Sequence, residues 1–399
     1  MNAKSFIQKS KVDDLKEQAV ERLNKSIERI KDWVWKVRAE DQSAGKFRWS
    51  VETTRSANIA ATAYILGGLK SVGLFDSIIT EEDKKEGVAW VNSLCIGNEQ
   101  YRDPALFDRR TPGWPDNEPW PTPAMQVSVN QYSQNILKTY LGKAIPPSPP
   151  PKGWPQSDEP EKAVEWIKTR PWNTDTWGAG SHGMRMATWL LQWYKEGKIP
   201  IEPLIQALKF FYEIQDPETG LWGNDKVSKY VRINGTFKLF PLIREQLDLP
   251  LPYAEKIIDN VMDEFYRPDY DEKMRACDEW DNWYVLALAS EQADGYREEE
   301  ILKLAAYRII RVIDLWMKPD GGFSDSQYEC ETNWVGFDMA PPLPQGDAKS
   351  LAILSSGLNV CVDLLNLHNH TMWTGKWRMR EKEPQELRNK IKSLVFNGN

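Results

Sequence analysis

The sequence has few of the side chains that hold metals or form crosslinks. Four cysteines and three histidines are spread over 399 residues. None of Cys95, Cys277, Cys330 and Cys361 falls in a C-x-x-C pair. That scatter argues against a structural zinc site and leaves reduced thiols as the reading, so no metal and no cofactor is expected. No apolar run approaches the ~20 residues a membrane span needs. The opening MNAKSFIQKSKVDDLKEQ has no apolar segment of signal-peptide length, so the chain reads as cytoplasmic. Lys plus Arg is 51 against 58 for Asp plus Glu, a net charge of −7 that gives no basic face for nucleic acid. Strand signals are weak as well. No stretch joins strict alternation to a hairpin dipeptide, and Asn234-Gly235 sits inside a helical pattern.

What the sequence does have is helix periodicity and tryptophan. Leu15, Ala19, Leu23, Ile27, Ile30, Val34 and Val37 recur in steps of three and four, which marks one face of a helix over 11–38. A long break and a second helical run, 56–72, follow. The same unit repeats as helices near 81–96 and 122–141, 160–168 and 180–195, 201–214 and 229–246, 253–265 and 278–292, and 297–317 and 347–367. A further helix falls near 384–396. Connections between hairpins are short, except for the proline-rich 144–160, read as a stiff connector within a single domain over 1–399. Connections within hairpins are long, and long loops carry function more often than short ones.

Two of those loops hold a recognisable turn. Gln215-Asp216-Pro217-Glu218-Thr219-Gly220-Leu221-Trp222-Gly223 resembles the Gln…Gly…Trp turn of terpenoid cyclases and protein prenyltransferases, with one extra residue. Lys318-Pro319-Asp320-Gly321-Gly322-Phe323 resembles the same turn. The resemblance implies an all-α fold, an (α/α)6 toroid of six helical hairpins. Six inner helices would be ringed by six outer ones, with the long loops at one face. The inner helices would then direct six N-termini at one cavity, an arrangement that favours anionic groups.

The residues placed at that mouth are aromatic and acidic. Trp49, Trp114, Trp120, Trp172, Trp177, Trp222 and Trp334 fall in the loops; Trp280 and Trp283 begin an inner helix. Flat apolar faces with polar edges suit sugar rings, a prenyl chain or a carbocation. Of these, Trp114, Trp177, Trp222, Trp283 and Trp334 are expected to bind substrate, with Arg109, Arg185 and Asn333. Asp175, His182, Asp278, Asp281, Tyr284 and Asp338 are the catalytic candidates. His182 is the only mid-chain histidine, and CDEWDNWY sets Asp278, Asp281 and Tyr284 on adjacent turns of one helix.

Three functions fit these residues. The first is a carbohydrate-active enzyme, a glycoside hydrolase or lyase acting on an acidic oligosaccharide in a Trp-lined central cavity, with one protonated carboxyl as acid and a second group as base or nucleophile. Phe337-Asp338-Met339-Ala340-Pro341-Pro342 resembles a motif of α/α-barrel unsaturated glucuronyl hydrolases, though nearer the C-terminus. The second is a terpenoid cyclase or prenyltransferase relative, against which stands the lack of Asp-x-Asp-Asp, Asp-Asp-x-x-Asp and zinc-ligand patterns. The third is a non-catalytic ligand-binding toroid. Oligomeric state is left open.

Overall fold

The computed structural model describes residues 3–39, 45–97, 100–142, 150 and 153–397. Residues 144–149, 151 and 152 of the proline-rich connector expected at 144–160 lie outside the described residues. The fold is all-α. Helices α1 (Val12–Val37) and α2 (Ile59–Val72) form the first pair, followed by α3 (Glu81–Ser93) and α4 (Pro123–Leu141). Next come α5 (Pro160–Lys168) with α6 (Thr176–Lys195), and α7 (Glu202–Glu213) with α8 (Lys229–Phe240). A π-helical turn, Pro241–Gln246, extends α8. The last pairs are α9 (Ala254–Phe265) with α10 (Ala276–Ser290) and α11 (Glu298–Trp316) with α12 (Ala348–Leu364); α13 (Gln385–Phe396) follows.

Periodicity explains the packing. Every apolar residue of the α1 stripe named above is buried, and α1 lies against α11. The even-numbered helices are neighbours in the order α4, α2, α12, α10, α8, α6. Their contacts advance in step. Asn234 meets Asp278 and Phe237 meets Trp280 and Tyr284, so α8 and α10 run parallel. Gly68 faces Leu351 and the Ser71 carbonyl accepts from Asn359, so α2 and α12 do too. Odd helices pack outside this row: α3 on α4, α5 on α6, α9 on α10 and α11 on α12.

Five of the six even helices are capped by the side-chain oxygen of their N-cap residue. Asn58, Thr122, Asp175, Ser228 and Asp347 each accept an N–H from the first turn of the helix they precede. In α10 the Asp278 carboxylate reaches back to the Arg275 N–H at 3.0 Å. Three of these caps are carboxylates, so the positive helix ends are partly neutralised from within.

Among the described residues, regular β structure is confined to the long loops. Strands β1 (Cys95–Gly97) and β2 (Gln100–Tyr101) pair antiparallel after α3, and β3 (Asn333–Trp334) pairs with β4 (Phe337–Asp338). Single antiparallel bridges Arg38–Phe47, Gln215–Trp222 and Met317–Phe323 open the loops after α1, α7 and α11. The two turns that resemble one another in sequence are therefore alike in structure. In the second, Gly321 adopts φ +102°, and a Cβ there would lie 2.3 Å from the Arg29 carbonyl oxygen of α1. Gly321→Ala is expected to cost more than about 1 kcal/mol, from the left-handed backbone and the clash together, read as a lower urea midpoint with unchanged slope.

Candidate functional site

Side chains from five of the six even helices converge above the middle of the row. Tyr64 of α2 and Tyr132 of α4 share a hydroxyl hydrogen bond of 2.6 Å. Both lie within electrostatic reach of Cys277, at the start of α10. Lys349, in the first turn of α12, faces Cys277 and Asp325 and forms an ion pair with Glu331. Lys238 and Asn234 enter from α8. Asn234 Nδ2 donates to Asp278 at 3.3 Å, and Lys238 stands over the Trp177 ring, 5.2 Å from its centre. A cleft of about 320 Å³ reaches Asp278 between Ser228, Tyr230, Met274 and Arg275.

The electrostatics of this cluster are uneven. Asp281 is 2% exposed. Burial pushes its carboxyl up to about 8, helped by Asp278 and opposed by Lys238 and Lys349, and no hydrogen bond contributes. It is therefore a neutral acid at pH 7. Asp278 is also raised by burial, against the pull of its hydrogen bonds to Arg275 and Asn234. Burial pushes the Cys277 thiol up to about 12, so it is no thiolate nucleophile.

The remaining expected residues are placed as follows. Tyr284 lies deeper on α10, fully buried against Phe237, Trp280 and Trp377, and desolvation holds its phenol far above the usual range. It is no proton acceptor in this state. Asp175 caps α6 by accepting from Gly178 N–H at 2.9 Å. His182 packs between Trp154 and Trp166, outside the converging cluster. Burial, with Arg185 and Arg170 near it, lowers its pKa.

Asp338 is held by three partners. Arg55 bonds one carboxylate oxygen at 2.5 Å, Arg109 bonds the other at 3.1 Å, and Thr111 adds a third contact at 3.2 Å. Arg55 is itself buried and also reaches the carbonyls of Leu106 and Arg109. Asp338 and Arg109 thus tie the loops after α1, α3 and α11 together. Asn333 Oδ1 accepts from Gly336 N–H in the β3–β4 turn.

The tryptophans divide. Trp222 and Trp283 were expected to line a substrate site but belong to the core, at 0% and 1% exposed. Each indole N–H has an internal acceptor, the Phe211 carbonyl and Glu279 respectively, which removes the usual reason for a tryptophan to keep an edge in water. Trp334 is buried but joins an aromatic line. Ring centres run from Trp114 to Trp120 at 5.3 Å, to Phe337 at 5.3 Å, to Trp334 at 5.7 Å, and to Tyr132 at 5.1 Å. Only Trp177 of the expected set is widely exposed, at 49%.

Sequence reasoning missed Tyr64, Tyr132 and Lys238 as site residues. They sit in mid-helix with no local pattern to separate them from surface positions. Among the described residues no group of three or more His, Cys, Asp or Glu is arranged to hold a metal ion, and no helix is long and apolar enough to cross a membrane. No protein-family profile, curated protein or solved structure matches this chain.

Proposed function

We propose that the six helix pairs close into an (α/α)6 toroid, and that the cluster around Asp281 is the acid–base centre of a carbohydrate-active enzyme taking a small anionic sugar substrate. The parallel even helices and the knotted loops above their starts support the ring. The observation that carries the chemistry is Asp281, a carboxyl that burial keeps protonated against the pull of Lys238 and Lys349. A general acid for glycosidic cleavage must keep its proton at working pH. Asp281 does so by desolvation. In this reading it protonates the leaving oxygen. Glu331, ion-paired with Lys349, is the carboxylate that directs water or stabilises the developing positive charge. Lys238 and Lys349 bind the acidic group, and Trp177 offers a sugar-stacking face.

A second reading draws on the same proton donor. A terpenoid-cyclase-like enzyme also needs a neutral carboxyl beside aromatic faces, and Phe237, Trp280 and Tyr284 form a ring cluster on α8 and α10, the latter being the helix that carries Asp281. A thermal-shift screen separates the two. A ligand at a hundred times its dissociation constant stabilises by about 2.7 kcal/mol. Uronic-acid disaccharides are expected to raise Tm, and prenyl diphosphates to leave it unchanged. The reverse pattern overturns the carbohydrate reading.

A further inference from the structure

The cleft between the starts of α8 and α10 has features that the acid–base reading leaves unused. Its volume, about 320 Å³, is at the small end of the range for small-molecule sites, about 300–1,000 Å³. That space suits a single ring and not a longer chain. Tyr230 and Met274 supply apolar wall, and Asp278, 3% exposed, is the most buried charged group of the lining. Three cations also line the cleft, and each is already paired. Arg267 meets Glu264 and Asp269 at 2.8 and 2.6 Å, Lys273 meets Asp269 at 2.7 Å, and Arg275 meets Asp325 at 2.6 Å. An anion entering here would find those cations neutralised and would face Asp278. An ammonium group would have to pass the three cations to reach that carboxylate. The charges therefore disfavour an ionic ligand of either sign.

What the region has in surplus is hydrogen-bond acceptors. Asp278 accepts from the Arg275 N–H at 3.0 Å and from Asn234 Nδ2 at 3.3 Å, and a carboxylate has room for about four donors. Asn234, which touches Asp278, is 5% exposed, and its own Oδ1 has no donor among the described residues. Asp325, 0% exposed, is gripped by Arg275 through Oδ2, while its Oδ1 likewise has no donor among them. Buried acceptors left without donors are costly, and a ligand rich in hydroxyl groups relieves them. Tyr230 and Met274 complete the pattern, since an apolar wall suits the C–H face of a sugar ring.

We infer that this cleft is a subsite for one uncharged sugar ring, held by its hydroxyl groups on Asp278 and Asn234 and by its apolar face on Tyr230 and Met274. The inference deepens the reading of a carbohydrate-active enzyme and rests on it for where the bond to be cleaved lies. The parallel helices α8 and α10 set two levels. Asn234 and Asp278 form the level at the cleft; Lys238, four residues on, and Asp281, three residues on, form the next, one helical turn further along. A substrate spanning both would place its neutral unit in the cleft and its acidic unit by Lys238, with the bond between them near Asp281. The neutral unit is then the leaving group that Asp281 protonates.

The test is a saturation-transfer NMR titration of the full chain with the methyl glycosides of glucose, galactose, mannose and xylose, and with glucosamine and inorganic phosphate as charged counterparts. At least one neutral glycoside is expected to bind saturably. Tyr230→Ala should weaken that binding by about tenfold, and Asn234→Leu by about twofold to tenfold, the loss of a neutral hydrogen bond. Met274→Trp, which fills the space, should abolish it. Asp281→Asn should bind the glycoside as the parent does, which separates this inference from the catalytic reading. Tyr230-dependent binding of a neutral glycoside without turnover of any uronide sinks only the role of Asp281 as acid. Three results overturn the subsite: no saturable binding of any neutral glycoside, binding unchanged in Tyr230→Ala with unaltered Tm, or stronger Tyr230-dependent binding of glucosamine or phosphate. Tyr230 is only partly buried, so Tyr230→Ala keeps the test open if Asn234→Leu or Met274→Trp fails to fold.

Discussion

Asp281→Asn is expected to lower turnover by about 10²–10⁴-fold with the fold intact, the usual contribution of a positioned general acid. The amide matches the carboxyl in shape and has no acidic proton to give. On the proposed reading, turnover by the parent chain should fall as pH rises through about 8, where Asp281 ionises. Stability carries the same signature. The carboxyl is raised above its ordinary 3.8, so the folded chain holds this proton more tightly than the unfolded one. That contribution is complete below about pH 4 and is lost as pH rises through about 8. Asparagine has no such dependence, so the variant should gain on the parent in unfolding free energy across that interval. Rate profiles and urea titrations at several pH values check both halves. Parent-like turnover in the variant at neutral pH would remove Asp281 from the chemistry.

The largest stability effect is expected at Arg308. This side chain is 2% exposed and donates to Glu279 at 3.1 and 2.9 Å, with a further contact to Asp271. Glu279 is just as buried and also receives Trp283 Nε1 and the Tyr270 hydroxyl. Removing one partner of a buried ion pair leaves an uncompensated charge, and Arg308→Met should cost about 3–5 kcal/mol. Arg308→Met with Glu279→Gln should recover much of that loss, because the stranded charge is gone. Chemical denaturation of the three proteins measures it. A loss below about 1 kcal/mol for the single variant would mean that water reaches the pair. Glu279 lies on α10 between Asp278 and Asp281, so the network also fixes the helix that carries the acid.

Helix positions were legible because burial on one side of a rod leaves a period in the sequence. Every expected helix of the six pairs is found, with ends displaced by a few residues at most places and by four at the start of α6, where Asp175 caps earlier than the glycines of GAGSHG implied. The tryptophans were less legible. A loop indole reads as available, but Trp49 and Trp222 are wholly buried because the carbonyls of Glu331 and Phe211 receive their N–H groups. Those acceptors are distant in sequence or hidden in a helix end. Asp338 is similar: its partners Arg55 and Arg109 are more than two hundred residues away. The pair Asp278 and Asp281 could be read from spacing alone, whereas the proton on Asp281 depends on surroundings from α8 and α12.

The antiparallel bridges that open the loops after α1, α7 and α11 have a consequence for how such a molecule changes over generations. Each excursion leaves the helical body through a fastened stem, so whatever is inserted beyond the stem is insulated from the rods beneath. Lengthening a flexible excursion costs only about 0.6 kcal/mol per doubling. The region above the stems is thus free to be rewritten for new ligands, while the scaffold stays as it was.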